Sequence, residues 1–243
     1  MAGPTLRIEA PARAARKGGI TKVAEVRENG AIGNAEAVVY QSDGCTFPYT
    51  EEVRCYAAST PPDKTYAGIE VEDAIGAPFT IVAGVACFIN PDPDEKERAR
   101  RLHDEGRDRV LEEVAEAWAS AGTALAAGGS VDGAIAIIDQ ELDDKYVGQG
   151  VILMSRGDAV RAEFALTLGA DSIPYTINGT PVIASGRVAP GTVYGLGAIV
   201  IEHTPILEVD GYDFEKNKHH ALAEAIYVLA VDCEFRVKSS TGA

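Results

Sequence analysis

The sequence contains no apolar run of the roughly 18 residues that a membrane-spanning helix needs. After Met1-Ala2-Gly3-Pro4 it also lacks a charged segment followed by an apolar one. No secretory signal is therefore expected, and a cytoplasmic origin is. None of the four cysteines, Cys45, Cys55, Cys87 and Cys233, forms a C-x-x-C pair, which removes the usual zinc and thioredoxin-like signatures. In an intracellular chain they are expected to be small buried thiols, with a disulfide or an inter-subunit contact as the alternative.

Signatures of chemistry are missing as well. There is no G-x-S-x-G elbow and no P-loop, and Gly195-Leu196-Gly197 lacks the third glycine of a dinucleotide fingerprint. Histidines number only four, His103, His203, His219 and His220. His220 and Glu224 would share a face if their segment were helical, but no third metal ligand accompanies them. His103 lies among charges and is expected to be exposed. The acidic cluster Asp139, Glu141, Asp143 and Asp144 lacks EF-hand spacing and reads as a solvated or inter-subunit surface. The expectation is therefore no catalytic, cofactor or metal residues. Basic charge is scarce too. The net charge of −15 argues against a sequence-reading nucleic-acid binder.

What is present is uneven. The 243 residues are 46% hydrophobic and 24% charged, ordinary for a folded chain of one large domain or two intimate ones. The first 25 residues reverse the sign of the rest. Arg7, Arg13, Arg16, Lys17 and Lys22 face only Glu9 and Glu25, a net of +3. A basic, Gly- and Ala-rich arm on an acidic body suits contact with a neighbouring acidic surface or a polyanion.

Residues 35–88 read as short strands and loops, ending in the β-rich stretch Pro78–Phe88. From Asp94 to about Ala126 there is no proline and helix formers dominate. Leu102, Val110, Val114, Trp118 and Leu125 recur at helical spacing, which predicts a buried face containing Trp118. About 33 residues at 1.5 Å each make a helix of roughly 50 Å, a structural spine. Ser130 or Asp132 caps a second predicted helix running to about Leu142. Gly150–Met154 reads as a buried strand, and Asp158–Leu168 as a third helix. Asn178-Gly179 marks a hairpin turn. Val193–Ile201 and Glu202–Val209 read as strands and Asn217–Ala225 as a helix. Ile226–Val237 reads as a terminal strand with Cys233, Phe235 and Val237 on one face.

The order of three strings resembles the major capsid proteins of tailed bacteriophages, above all those of actinobacterial phages. The first comprises Asp63-Lys64-Thr65-Tyr66, Gly76–Ile81 and Val85-Ala86-Cys87 ahead of the long charged helix, with Cys45 and Cys55 upstream. The second is Tyr146–Met154 followed by Asn178–Gly186. The third is Asn217 with Ala221-Leu222-Ala223-Glu224 and Val231-Asp232-Cys233. The resemblance spans about residues 40–238.

It implies an α+β, Hong Kong 97-like capsid fold. The parts would be an N-terminal arm (1–40), an extended loop and strands (41–90), a peripheral domain with the spine helix (91–129 and 206–243) and an axial domain (130–205). It implies a non-enzymatic shell subunit assembled in the host cytoplasm into a virion. Its chief partner would be itself, in pentamers and hexamers, with the five basic arm residues at inter-subunit contacts. Portal, scaffold and decoration proteins and DNA packaged without sequence specificity are further candidate partners; a membrane is not. An encapsulin-like compartment shell is the second reading and an unrelated α/β enzyme the third.

Overall fold

The computed structural model describes residues 18–42, 44–48, 73–88, 94–162 and 164–242. Its elements form two five-stranded sheets and two small strand pairs around one long helix. The short helix α1 (Ile20–Val23) leads into β1 (Glu25–Glu28). β2 (Val38–Tyr40) pairs with β3 (Ala74–Gly76), and β4 (Phe79–Phe88) follows. The long helix α2 runs Glu95–Ala119. Beyond it lie β5 (Thr123–Ala124), α3 (Val131–Lys145), β6 (Val151–Ser155) and α4 (Arg156–Arg161). The rest is strand: β7 (Leu166–Leu168), β8 (Pro174–Thr176), β9 (Val182–Ser185), β10 (Thr192–Leu196), β11 (Ile199–His203), β12 (Leu207–Asp213), β13 (Lys218–Val231) and β14 (Arg236–Ser240).

β13 organises the first sheet. One edge pairs antiparallel with β4 from Lys218 to Tyr227. The other edge takes β12 and β11 end to end, and β1 lies beyond β11 in parallel. The expected helix at Asn217–Ala225 is therefore a strand. Its Ala, Leu and Glu favour helix by only tenths of a kcal/mol per residue, about 0–0.7. The alternation His219, Ala221, Ala223, Ala225, Tyr227, Leu229 and Val231, all buried, has the period of a strand. Ladders on both edges and burial of that face outweigh the propensity.

The second sheet has the order β5-β14-β10-β6-β9. Ser130 caps α3 by accepting from the N–H of Gly133, and α3 lays Ala134, Ile135, Ile138 and Leu142 on one face of this sheet. That close approach requires Gly195, where a Cβ would lie 2.7 Å from Ile138. The opposite face presents Leu153, Ile183, Tyr194 and Leu196 to α2 and the first sheet. β6 is thus buried on both faces, as its unbroken apolar run requires.

Two predicted strands break where the chain passes between the sheets. Residues 193–201 divide into β10 and β11 around Gly197, where a Cβ would lie 2.5 Å from the Asp232 carbonyl oxygen. The predicted terminal strand stops at Val231. A one-turn 3-10 helix, Asp232–Glu234, then carries the chain into β14 in the other sheet. The two crossings run side by side. The N–H of Gly197 donates to the Phe235 carbonyl (3.1 Å), and that of Asp232 to the Ala198 carbonyl (2.9 Å). The predicted third helix is also cut short, ending at Arg161 and giving way to β7.

α2 stops at Ala119, short of the expected Ala126, because Thr123 and Ala124 pair with β14. Its buried stripe is Glu95, Ala99, His103, Leu111, Ala115 and Ala119. A four-residue spacing drifts about 40° per step at 3.6 residues per turn. One stripe thereby serves two surfaces. Ala99 meets Ala221 and Ala223, and Leu111, Ala115 and Ala119 join the cluster shared by both sheets. The expected face was offset by one residue. Leu102 (36% exposed) and Val110 (37%) lie on a flank of the helix. Trp118 is half-buried, with the Arg236 guanidinium 4.4 Å above its ring. His103, expected to be exposed, is buried at 1%.

Candidate assembly interface

The arm's root is fixed from the helix outward. Gly18, Gly19 and Ile20 are buried between α2 and the turn before β8. Gly18 has φ +71°, a region glycine enters at no steric cost, and a Cβ on Gly19 would collide with Asp108. The Ile20 N–H donates to Glu112 Oε1 (3.3 Å), and the Ser185 hydroxyl donates to Glu112 Oε2 (2.6 Å). Thr21 donates to Asp108 Oδ1 (2.8 Å). The buried Glu112 carboxylate therefore joins arm root, spine helix and second sheet. Sequence reading missed it, because one glutamate in a charged helix carries no distinguishing local signal. Of the predicted contact residues, Lys22 stands exposed on α1, whereas Arg7, Arg13, Arg16 and Lys17 lie outside the described residues.

The start of α2 is tied to the first sheet by charge. Glu95 Oε2 lies 2.5 Å from His219 Nδ1 in a buried pair. His219 Nε2 is 3.5 Å from Asp210, which pairs with Lys96 at 2.8 Å. The Lys96 hydrogen bond holds the Asp210 carboxyl below the usual carboxylate range. Arg100 reaches Glu208 at 3.3 Å. His220 and Glu224, expected on one helix face, sit on β13, where four residues span about 13 Å. They cannot share a metal, and no cluster of three or more candidate ligands occurs among the described residues. Asp139 of the acidic cluster faces the loop after β8, accepting from Thr180 (2.5 Å), Asn178 (2.7 Å) and Thr176 (3.4 Å).

Residues opposite one another in an antiparallel ladder point to the same side. Leu222 stands opposite Val209 and Gly84, and Glu224 opposite Leu207 and Val82. The sheet face turned away from α2 thus displays Val82 (54% exposed), Leu207 (56%), Val209 and Leu222 around one carboxylate. At the tip of β12, Phe214 (88% exposed) stacks on Tyr212. Further exposed apolar residues are Val160 on α4, Phe164 before β7, Leu168 on β7 and Ile177 after β8. Large apolar residues gathered this way on a surface mark contact sites for other macromolecules.

No protein-family model matches the sequence, and no curated protein matches it. Solved structures match in fold. The capsid of an empty GTA particle superposes with a TM-score of 0.61 at 13% identity, covering 100% of this chain and 96% of that one. A structure from Mycobacterium phage Che8 gives 0.57 at 13% identity over 97% and 96%. Phage G major capsid and decoration proteins give 0.56 at 9% identity over 98% and 95%. The chain has the Hong Kong 97-like capsid fold. At such identities the likeness concerns fold, and it extends over nearly the whole of both chains. Within this capsid fold α2 is the spine, flanked by two sheets of unequal coverage. No helix among the described residues is long and apolar enough to cross a membrane.

The expectation of thiols does not hold for one pair. Cys45 and Cys233 are joined as a disulfide with Cα atoms 5.6 Å apart, within the usual span of such bonds. They are 188 residues apart in sequence, so only the fold brings them together. Cys87 lies in β4, and Cys55 is outside the described residues.

Proposed function

We propose that this chain is the structural subunit of a phage-type icosahedral capsid, acting through contacts with copies of itself rather than through catalysis. The observation that carries the reading is the fold, matched over nearly full length by the capsid of an empty GTA particle. The exposed face of the first sheet supports it, because neighbouring copies would cover Val82, Leu207, Val209 and Leu222. The virion is the location this implies, and double-stranded DNA, held without sequence readout, the cargo. The acidic body would repel that DNA and keep the lumen from binding it tightly.

In this reading, residues 1–40 form the arm, 41–90 the extended loop and strands, 91–129 and 206–243 the peripheral part, and 130–205 the axial part. The pairings favour two adjustments. β11 belongs with the peripheral sheet, and β14 with the axial one. Arg7, Arg13, Arg16, Lys17 and Lys22 would lie along an acidic neighbour. Each exposed ion pair is worth about 0–1 kcal/mol, so the effect accumulates by repetition over the shell.

Electron microscopy of the purified chain tests the proposal. Closed shells are expected, and rings or shells should survive where a 25.6 kDa monomer would not be seen. A monomer at every concentration and salt would refute it. Deleting residues 2–17, which stops short of the buried root Gly18–Ile20, should leave the chain folded and weaken the shells, even without DNA.

A further inference from the structure

We propose that Cys45 and Cys233 are a reversible thiol–disulfide site that locks the point where the chain crosses between its two sheets. The site stands on the fold alone. Its timing, reduced during assembly and oxidised afterwards, rests on the shell reading. Cys233 occupies the turn Asp232–Glu234, between β13 of the first sheet and β14 of the second. Cys233 and Glu234 both adopt positive φ, +54° and +46°, so the backbone leaves the strand sharply here and presents the sulfur to Cys45. The neighbouring crossing, Gly197-Ala198, is hydrogen-bonded to this same turn. Cys45 lies shortly after β2, at the start of the segment that returns as β3. The bond therefore fastens the stretch just after β2 to the turn where the chain crosses between the two sheets.

The surroundings favour Cys45 as the attacking thiolate, because the Asp232 carboxylate lies 3.6 Å from Cys233 Sγ and opposes charge there. Both cysteines are partly buried rather than sealed in a core. The Ser42 hydroxyl lies 3.4 Å from Cys45 Sγ and 3.5 Å from Cys233 Sγ, and is itself fixed by the Gly44 N–H at 3.1 Å. It can donate to whichever sulfur carries charge.

Oxidation by a glutathione-type disulfide balances without further reagents. One cysteine thiolate attacks a sulfur of the oxidant, forms a mixed disulfide and releases a glutathione thiolate. The second cysteine thiolate then attacks the protein sulfur of that mixed disulfide. The Cys45–Cys233 bond forms and the second glutathione thiolate leaves. The two thiol protons pass to the released thiolates, and the two electrons lost by the pair reduce the oxidant.

The test uses the full chain purified under reducing conditions, then exposed to oxidised glutathione. Maleimide-reactive thiols should fall by one pair per chain, and peptide mapping should find Cys45 linked to Cys233. Melting should rise by about 5–15 °C over the reduced form. Cys45→Ser and Cys233→Ser should abolish the rise, whereas Cys55→Ser and Cys87→Ser should keep it. Unchanged thiol counts, a different linked pair, or equal melting of the two forms would overturn the proposal. Sedimentation, read separately, distinguishes it from the shell reading. Linkage and stabilisation without shells keep the lock and remove the shell. Shells without the linked peptide do the reverse.

Discussion

The two sheets solve the problem of burial differently. The second is closed on both faces, by α3 on one side and by α2 with the first sheet on the other, and its core is Ile, Leu, Val and Met. The first is closed along its length on one face, by a helix whose contact stripe includes Glu95, Ala99 and His103 over Ala221 and Ala223. Its other face is covered at one end only, where β3 packs on the buried Val228. Small residues let α2 approach the sheet closely, but they bury little apolar area each. Over β4 and β12 that other face stays open and displays Val82, Leu207, Val209 and Leu222. One half of the chain is finished by its own elements, and the other presents an exposed apolar surface.

The largest expected effect lies in the closed sheet. Leu153→Ala on β6 removes a fully buried side chain from between two layers. It should cost about 2–5 kcal/mol in denaturant unfolding of the dissociated chain. A loss below 1 kcal/mol, on the order of an exposed site, would show that this sheet is not the rigid half.

Glu112→Ala comes next, because it strips partners from the Ile20 N–H and the Ser185 hydroxyl at the seam between the two halves. About 1–3 kcal/mol should be lost, and proteolysis at the arm root should speed up. Glu112→Gln keeps one acceptor and should fall between that variant and the wild type. Equal behaviour of all three would remove Glu112 as the clasp.

Trp118→Ala should cost about 1–2 kcal/mol, from half-burial and the Arg236 contact. A buried core tryptophan would cost about 3–5 kcal/mol. Unfolding curves separate the two, and the higher figure would restore the face that the sequence suggested.

Acid should act on the open sheet's seam. His103 is buried there against the Tyr227 ring, with neither ring nitrogen hydrogen-bonded among the described residues. Burial pushes its pKa below the ordinary 6.5, against the opposing pull of Asp104, whose Oδ1 is 3.7 Å away. The unfolded chain then binds a proton first. Stability is therefore full above about pH 6.5 and declines as pH falls below it. His103→Met should flatten that decline in a series of melts. An unaltered slope would mean that His103 does not titrate on unfolding.

The same contrast explains what could be read in advance. α3, with its serine cap and apolar period, and β6, with its unbroken apolar run, were legible because each carries its own burial signal. The start of α2 was legible from its charged, proline-free run. Its buried face was not, because Ala99, His103 and Ala115 pack inward while Leu102 and Val110 point to a flank. β13 was misread because alanine serves equally as a helix former and as the small residue beneath a helix. The breaks at Gly197 and Cys233 arise from pairing with distant strands, which no local pattern records. Glu112 and the Cys45–Cys233 pair were hidden for the same reason: partners on separate elements meet only after folding.

The proposed shell role requires the exposed part of the first sheet's outer face to meet neighbouring copies. The direct measurement is sedimentation velocity of the wild type beside a Val82→Ser, Leu207→Ser double variant. Both sites are substantially exposed, so the variant's unfolding free energy should stay within about 0.5 kcal/mol per site of the wild type. The wild type should sediment as large closed assemblies, and the variant as a folded subunit or small oligomer. Identical large assemblies from both, or a wild type that remains a monomer at every concentration, would contradict the account.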